Sequence, residues 1–165
     1  MTPEVFKQLA EEWIPFNKYV GIQALSIDEG NIVFEVPFRE ELIGDPLKRA
    51  IHGGVISMLA DTAGGFAVWT ALKDERARVS TIDLRIDYLL PGKQEPIRAH
   101  ATLVRAGKTV GVADVRLVHS TEPSSTSSDS SSTGSSAKSS TTAKPSKDSS
   151  SSSSPAATSG SSAGS

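Results

Sequence analysis

One carboxylate lies inside an otherwise apolar stretch of this sequence, shortly after a pair of glycines. Asp61 follows Gly53 and Gly54 in a segment that contains no proline and is built from small and apolar residues. A carboxylate in such surroundings costs free energy unless it is solvated or hydrogen-bonded. Because aspartate is charged at neutral pH, it can attack a carbonyl carbon or take a proton from water. Asp61 is therefore the first candidate for catalysis.

The glycine pair opens the long helix that the sequence predicts from Gly54 to about Leu72. Glycines leave backbone N–H groups approachable, and a helix N-terminus favours negative charge. A carbonyl oxygen that becomes negative during attack on a thioester needs such a donor. Helical spacing predicts that one stripe holds small residues around the carboxylate, with larger residues left for the core. The predicted stripe is Gly54, Ser57, Asp61, Gly64, Gly65 and Val68, and the core candidates are Val55, Leu59, Phe66 and Trp69.

Each of these features also has a plainer explanation. An aspartate within a helix often faces solvent, a Gly-Gly pair is usually a turn, and a histidine such as His52 is more often a structural hydrogen-bonding residue than a catalyst. The combination of His52, the glycines and Asp61 is what favours a reactive site.

The elements that would position this site form an α+β domain. Thr2 and Pro3 predict the start of a short N-terminal helix that ends at Pro15. Alternating apolar residues then predict antiparallel strands before and after the long helix in the sequence. These strands are predicted at residues 21–28, 32–36, 79–90, 97–105 and 109–118. One long helix against such a sheet is an α+β architecture.

Composition excludes several classes of protein. The formal net charge of −2 gives no basic excess for nucleic acid, and the chain has no cysteine. His52, His100 and His119 lack ligand-like spacing, so we expect neither a metal site nor a cofactor. No apolar run suits a signal peptide or a membrane span, so we expect a cytoplasmic protein that does not act at a membrane.

The composition changes abruptly at Ser120. Beyond it serine, threonine and alanine dominate, and no aromatic residue, leucine, isoleucine or valine occurs. Such a segment cannot bury enough apolar surface to offset its ordering entropy. We therefore predict a globular domain at residues 1–119 and a disordered tail at residues 120–165.

The globular part resembles the PaaI-like hotdog-fold thioesterases, which act on acyl-CoA. The resemblance rests on His52-Gly53-Gly54 with Asp61 in the following helix, and covers roughly residues 20–118. It is supported by the segments Ile43–Leu47, Ser80–Leu84 and Asp87–Pro91. The family likeness implies a curved sheet wrapped around the long helix. It also implies homodimers or homotetramers with active sites between subunits.

The resemblance also implies roles for individual residues. Asp61 would be the catalytic nucleophile or general base, the Gly54 N–H would polarise the thioester carbonyl, and His52 would help to place it. Thr62 would lie near the reacting group. The positions that would contact the substrate are Gly53, Asp45, Gly65, Thr81, Arg105 and Lys108.

Two departures from the family pattern stand out. Relatives often carry asparagine where this chain has Asp45, which could alter the site or simply cap a turn. The family also closes its sheet with one more strand, and nothing after Ser120 is strand-like. We therefore expect the last strand to be missing and the strand at residues 109–118 to have an unpaired edge.

Cations in flanking loops are candidates for the phosphates of coenzyme A: Lys48, Arg49, Lys93, Arg105 and Lys108. Two other functions compete with thioester hydrolysis. A hotdog enoyl-CoA hydratase would need an asparagine and a closer histidine beside Gly44-Asp45-Pro46. A hotdog module that binds acyl-CoA or a partner without catalysis is the stronger alternative, because fold does not fix function.

Overall fold

The computed structural model describes residues 1–74 and 77–119, and the backbone of residues 137–146. The helices are α1 (Pro3–Gln8), α2 (Pro15–Val20) and α3 (Gly53–Thr70), with a π-helical turn at Leu9–Trp13 and a 3-10 turn at Glu40–Leu42. The strands are β1 (Gln23–Asp28), β2 (Asn31–Val36), β3 (Ile43–Asp45), β4 (Ala50–Ile51), β5 (Arg78–Tyr88), β6 (Ile97–Ala106), β7 (Gly111–His119) and β8 (Ala137–Ser146).

The N-terminal helix begins as its capping residues predict, but it does not simply end at Pro15. The Thr2 side chain accepts a hydrogen bond from the Val5 N–H at 3.4 Å, and Pro3 occupies the first turn. The chain then passes through the π-helical turn into α2, whose first residue is Pro15. Proline suits that position because its missing N–H would have no helical partner. Pro15 therefore both follows one helical segment and starts the next.

Six strands form one antiparallel sheet in the order β1-β2-β6-β7-β8-β5. β6 pairs with β2 on one side and β7 on the other. The short strands β3 and β4 form a separate pair just before α3. The long helix packs against β2, β5, β6, β7 and β8. This is the α+β arrangement that the sequence predicted, with the sheet on one side of a single long helix.

The core lies between α3 and the sheet. Leu59 on the helix is fully buried, as are Phe34 on β2 and Val115 on β7. Phe66 packs edge to face against Phe34, with ring centroids 5.2 Å apart. Such aromatic pairs add to the free energy gained by burial alone. None of the helices in the described part of the chain is long and apolar enough to cross a membrane.

The expectation of a missing last strand is wrong. β8 lies between β7 and β5, pairing with β7 over Gly111–Leu117 and with β5 over Arg78–Tyr88. The Ser/Thr-rich sequence concealed it because it lacks the alternation of apolar residues on which the prediction depended. Backbone pairing on two sides needs no such pattern, and threonine, present at Thr141 and Thr142, favours strands. β7 therefore has no unpaired edge.

The predicted tail boundary at Ser120 does not mark the end of the sheet, since β8 lies beyond it. The prediction of disorder otherwise falls on residues 120–136 and 147–165, which lie outside the described residues.

Truncation after His119 should markedly destabilise the protein. It removes β8 and leaves one edge each of β7 and β5 without a backbone partner. We expect a lower unfolding midpoint in urea and concentration-dependent aggregation, measured by circular dichroism and light scattering. A chain truncated after Ser146 is the matched control. If both truncated chains unfold at the same midpoint as the full chain, β8 does not stabilise the sheet.

Candidate active site

The start of α3 is organised by His52. His52 is the N-cap residue, and its Nδ1 accepts a hydrogen bond from the Gly54 N–H at 2.8 Å. The backbone at His52 is fixed by a second hydrogen bond, which its own N–H donates to the Leu42 carbonyl at 2.8 Å. Gly44 lies against it so closely that an added Cβ would be 2.6 Å from the His52 Cα. Any side chain at position 44 would therefore collide with His52, and only glycine fits there.

The hydrogen bond between His52 and Gly54 involves the same N–H group that we expected to polarise the thioester carbonyl. The Gly54 N–H is engaged by the imidazole in this structure, so a carbonyl oxygen would have to share or replace that contact. Because Nδ1 is the acceptor, a neutral His52 ring carries its hydrogen on Nε2. The His52 side chain is exposed, so the Nε2–H is a second donor at the same place.

Asp61 lies two turns further along α3 and is half-buried. The Thr81 hydroxyl on β5 donates a hydrogen bond to the Asp61 Oδ1 at 2.6 Å. This bond orients the carboxylate while its second oxygen remains available for other partners. Thr81, which the family resemblance placed at the substrate, thus contacts the proposed catalytic group itself.

Replacing Thr81 with valine should lower kcat by about tenfold and leave KM nearly unchanged. The change keeps the shape of the side chain but removes the hydroxyl that orients Asp61. A carboxylate that is less well positioned for the reaction lowers kcat. Thr81→Ser retains the hydroxyl and should keep most of the activity. Equal turnover of the valine and serine variants in a steady-state assay would contradict a positioning role for this hydrogen bond.

The open face of α3 differs in part from the predicted stripe. Gly64 and Val68 are buried, although helical spacing puts Val68 on nearly the same side of α3 as Asp61. Gly111 of β7 makes room for Val68, since an added Cβ there would lie 2.5 Å from it. Gly65 does stay on the open side, with no atom within 4 Å of an added Cβ.

Thr62 is half-buried beside Asp61, but its hydroxyl points along the helix. Its Oγ1 donates a long hydrogen bond to the Met58 Sδ at 3.8 Å. The predicted contact of Thr62 with the reacting group therefore stays a prediction.

Ser57 and Tyr88 form a polar cluster at the start of α3 that sequence reasoning did not select. The two hydroxyls are hydrogen-bonded to each other, and both oxygens lie within hydrogen-bonding distance of the Gly53 carbonyl oxygen, at 3.0 Å from Ser57 and 3.1 Å from Tyr88. Because each hydroxyl has one hydrogen, one of them donates to the other, which in turn donates to the carbonyl. Tyr88 is the last residue of β5, so this cluster ties the end of that strand to the helix N-terminus. The sequence signals were the position of Ser57 in the predicted stripe and that of Tyr88 in a segment that resembles the family.

Asp45 caps a turn before the site. Its Oδ1 accepts hydrogen bonds from the Leu47 N–H at 2.9 Å and the Lys48 N–H at 3.0 Å. The hydrogen bond from the Lys48 backbone is the main reason why the pKa of Asp45 lies below its usual value. The structure thus gives Asp45 a structural role in this turn, and its contact with substrate stays a prediction.

The candidate cations do not form one cluster. Lys48, Arg49 and Lys93 belong to the loops near the start of α3, and Arg49 is bound to Glu40 at 2.6 Å. Arg105 and Lys108 are exposed at the turn between β6 and β7, which meets α3 near Val68. Asp61 therefore lies between two basic regions at opposite ends of the helix.

The expected carbonyl donor, the Gly54 N–H, and the expected catalytic carboxylate of Asp61 lie far apart along α3. Gly54 and Asp61 are seven residues apart in one continuous helix. At 1.5 Å per residue, that separation is about 10 Å along the helix axis. A nucleophile and an oxyanion donor must both lie within about 3 Å of the reacting carbonyl. Within one protomer, these two groups cannot act on the same carbonyl.

The sequence is similar to those of known proteins. The sequence pattern of the Thioesterase superfamily matches residues 49–125. The Escherichia coli K12 medium/long-chain acyl-CoA thioesterase YigI is 31% identical over 121 residues, which cover 66% of this chain and 77% of YigI. A candidate esterase of Halobacterium salinarum is 40% identical over 102 residues, covering 61% of this chain and 67% of that protein.

A solved structure shares the fold. The Escherichia coli PaaI protein from the phenylacetic acid degradation operon superposes with a TM-score of 0.65 at 23% identity, covering 79% of this chain and 83% of PaaI. The long helix, the strand order of the six-stranded sheet and the sequence similarity lead to one assignment. The chain belongs to the thioesterase superfamily and has the hotdog fold.

Proposed function

We propose that the protein hydrolyses acyl-CoA thioesters to a free acid and coenzyme A, with Asp61 as the catalytic carboxylate. The observation that carries this proposal is the Asp61 carboxylate on the open face of α3, oriented by the Thr81 hydroxyl at 2.6 Å. An oriented, partly solvated carboxylate beside small residues suits attack on a bound ester. Thioesterase activity in general is what the superfamily shares.

The reaction breaks the bond between the carbonyl carbon and sulfur. Either the Asp61 carboxylate attacks the carbonyl carbon to give an anhydride that water then hydrolyses, or it removes a proton from a water molecule that attacks directly. In both routes negative charge develops on the carbonyl oxygen and the thiolate of coenzyme A leaves. The donors at the start of α3, the Gly54 N–H and the His52 Nε2–H, would stabilise that oxygen.

The reacting groups come from two protomers in this proposal. Because Gly54 and Asp61 lie about 10 Å apart on one helix, the donors of one protomer would meet the carboxylate of another. A homodimer is the smallest assembly that satisfies this requirement, and a homotetramer contains the same pair. Ile82 and Tyr88 on β5 are large apolar residues that are more than half exposed, and either could be covered by such a contact.

Coenzyme A would enter from the exposed side of α3. Arg105 and Lys108 are our candidates for contacts with its phosphates, because both side chains are exposed. The name of the relative YigI specifies medium- and long-chain acyl-CoA, and we infer a substrate of that general kind here.

A hydrolysis screen tests the proposal. Release of free thiol would be followed for acetyl-, butyryl-, octanoyl-, decanoyl- and phenylacetyl-CoA, with the Asp61→Ala variant as the blank. We expect turnover of at least one of them well above that blank. Binding of these esters with no turnover of any would instead support the non-catalytic acyl-CoA-binding module.

A further inference from the structure

The peptide group that joins Gly53 to Gly54 is held at both of its polar ends. Its N–H, which belongs to Gly54, donates to the His52 Nδ1 at 2.8 Å. Its carbonyl oxygen, which belongs to Gly53, lies 3.0 Å from the Ser57 Oγ and 3.1 Å from the Tyr88 hydroxyl oxygen. Because a peptide group is planar, contacts at the carbonyl also restrain the direction in which the N–H points.

The hydroxyls at the Gly53 carbonyl are not needed to complete the helix. A helix N-terminus leaves N–H groups without partners, whereas its first carbonyls accept hydrogen bonds from the N–H groups four residues further on. A serine that bonds back to the carbonyl four residues before it, as Ser57 does, slightly destabilises a helix. Tyr88 is 52% exposed, so water could serve its hydroxyl equally well. Local stability therefore does not account for this arrangement.

The two hydroxyls form a short chain of hydrogen bonds that ends at the carbonyl. Ser57 and Tyr88 are hydrogen-bonded to each other, so one hydroxyl donates to the second and the second donates to the Gly53 oxygen. Each bond in such a chain polarises the next one and makes it stronger. A donor at the carbonyl oxygen also draws electrons from the conjugated nitrogen, so the Gly54 N–H becomes a stronger donor in turn.

The polarised N–H is the group that the proposed reaction uses. The Gly54 N–H is a proposed donor to the thioester carbonyl oxygen, and a preorganised donor has its largest effect where negative charge develops. Tyr88 is the last residue of β5, and Thr81 of the same strand donates to Asp61 at 2.6 Å. One strand therefore contacts both the peptide that carries the expected donor and the expected catalytic carboxylate.

We propose that Ser57 and Tyr88 are positioning residues for thioester hydrolysis, whose joined hydroxyls orient and polarise the Gly53–Gly54 peptide toward the carbonyl oxygen of the substrate. The inference rests on the proposed function and adds two residues to its machinery. Neither residue touches the reacting atoms. Their effect falls on kcat more than on KM, because the charge on that oxygen is greatest in the transition state.

The first test removes each hydroxyl and keeps the rest of the side chain. Tyr88→Phe should lower kcat about tenfold, with KM and the unfolding midpoint nearly unchanged. Tyr19→Phe is the matched control, because Tyr19 is the other tyrosine of the chain and is 75% exposed on α2. Ser57→Ala should also lower kcat, and Ser57→Thr, which keeps a hydroxyl, should retain most of the activity.

A graded change in donor strength separates positioning from packing. In the Tyr19→Phe protein Tyr88 is the one remaining tyrosine, so biosynthetic incorporation of fluorotyrosine alters that position alone. Fluorine makes a phenol hydroxyl a stronger donor and changes its shape little, so kcat at mildly acidic pH should rise. The same treatment of Tyr88→Phe places the label at Tyr19 and should leave kcat unchanged.

Infrared difference spectroscopy measures the donor without turnover. The probe is a ketone analogue of decanoyl-CoA, in which a methylene group between sulfur and the isotope-labelled carbonyl prevents hydrolysis. A carbonyl stretch moves to lower frequency as the hydrogen bonds to its oxygen strengthen. We expect this shift when the analogue binds the wild-type protein or Tyr19→Phe, and a smaller shift when it binds Tyr88→Phe or Ser57→Ala.

Two results would overturn the inference. One is a Tyr88→Phe protein with the wild-type kcat and the wild-type carbonyl frequency. The other is a loss of activity that follows a lowered unfolding midpoint while the carbonyl frequency stays unchanged and fluorotyrosine has no effect, which would make Tyr88 merely structural. Failure of the proposed function has a different signature. A carbonyl frequency that depends on Tyr88, without hydrolysis of any ester, would contradict thioester hydrolysis and leave the polarised donor as part of a binding site.

Discussion

Asp61→Asn should lower kcat for acyl-CoA hydrolysis by at least about a hundredfold, the usual effect of losing a positioned base or nucleophile. Asparagine has nearly the same shape, and its amide oxygen can still accept the Thr81 hydrogen bond, so the fold should be retained. The amide can neither attack the carbonyl nor accept a proton from water. Steady-state turnover, together with binding of a non-hydrolysable thioether analogue, would separate lost chemistry from lost affinity.

Asp114→Asn on β7 is the matched control, since it makes the same change at an exposed position. We expect the control to hydrolyse at the wild-type rate and Asp61→Asn to bind the analogue within a few-fold of wild type. Near-parental hydrolysis by Asp61→Asn or Asp61→Ala would show that another group performs the reaction.

Mixing two inactive variants should restore activity if the site is shared. Asp61→Ala removes the carboxylate, and His52→Ala removes the proposed Nε2–H donor to the carbonyl oxygen together with the N-cap of α3. Each variant alone has every site damaged. In a mixed dimer one site has both defects and the other has none. Random reassociation of equal amounts in a two-fold symmetric dimer would leave about a quarter of all sites intact.

Recovery would be measured after co-expression of the two variants with different affinity tags, followed by isolation of the doubly tagged species. Two differently tagged copies of Asp61→Ala, treated identically, serve as the control. A doubly tagged mixed dimer that remains as inactive as its parents would show that each site lies within one protomer. A protein that is monomeric and active would contradict the shared site equally clearly.

The strongly patterned elements could be predicted from the sequence. The long helix was expected from Gly54 and begins at Gly53, and the strand expected at residues 97–105 is Ile97–Ala106. Both segments have regularly spaced apolar residues, and this spacing indicates which side of the element is buried. The open position of Asp61 could also be predicted, because a carboxylate with small neighbours does not pack into a core.

Among the elements that were not predicted, which are α2, β3, β4 and β8, two have ambiguous or absent local signals. Pro15 ends a helical pattern and also suits the first turn of the next helix, so α2 was not predicted. The segment that forms β8 has no apolar periodicity. Its pairing with β5 joins residues that lie 49 to 68 positions apart along the chain. Such pairing is a property of the whole sheet and not of the local sequence.

The side-chain contacts of the site depend on where β5 lies along the length of α3. The contact of Thr81 with Asp61 and that of Tyr88 with Gly53 both require β5 to lie at one particular height along α3. Nothing in either segment fixes that height. The hydrogen bond from the Gly54 N–H to His52 is different, because it joins residues two positions apart in the sequence.

The position of β8 between β7 and β5 also has a consequence for the order of folding. β5 pairs only with β8 in the six-stranded sheet of the described residues, although β8 follows it by about fifty residues. As the chain leaves the ribosome, β1, β2, β6 and β7 can pair with one another while β5 still has no strand partner. The side of the site that carries Thr81 and Tyr88 would then be completed last. Nascent chains should gain catalytic competence only after residue 146 has emerged, later than most of their sheet.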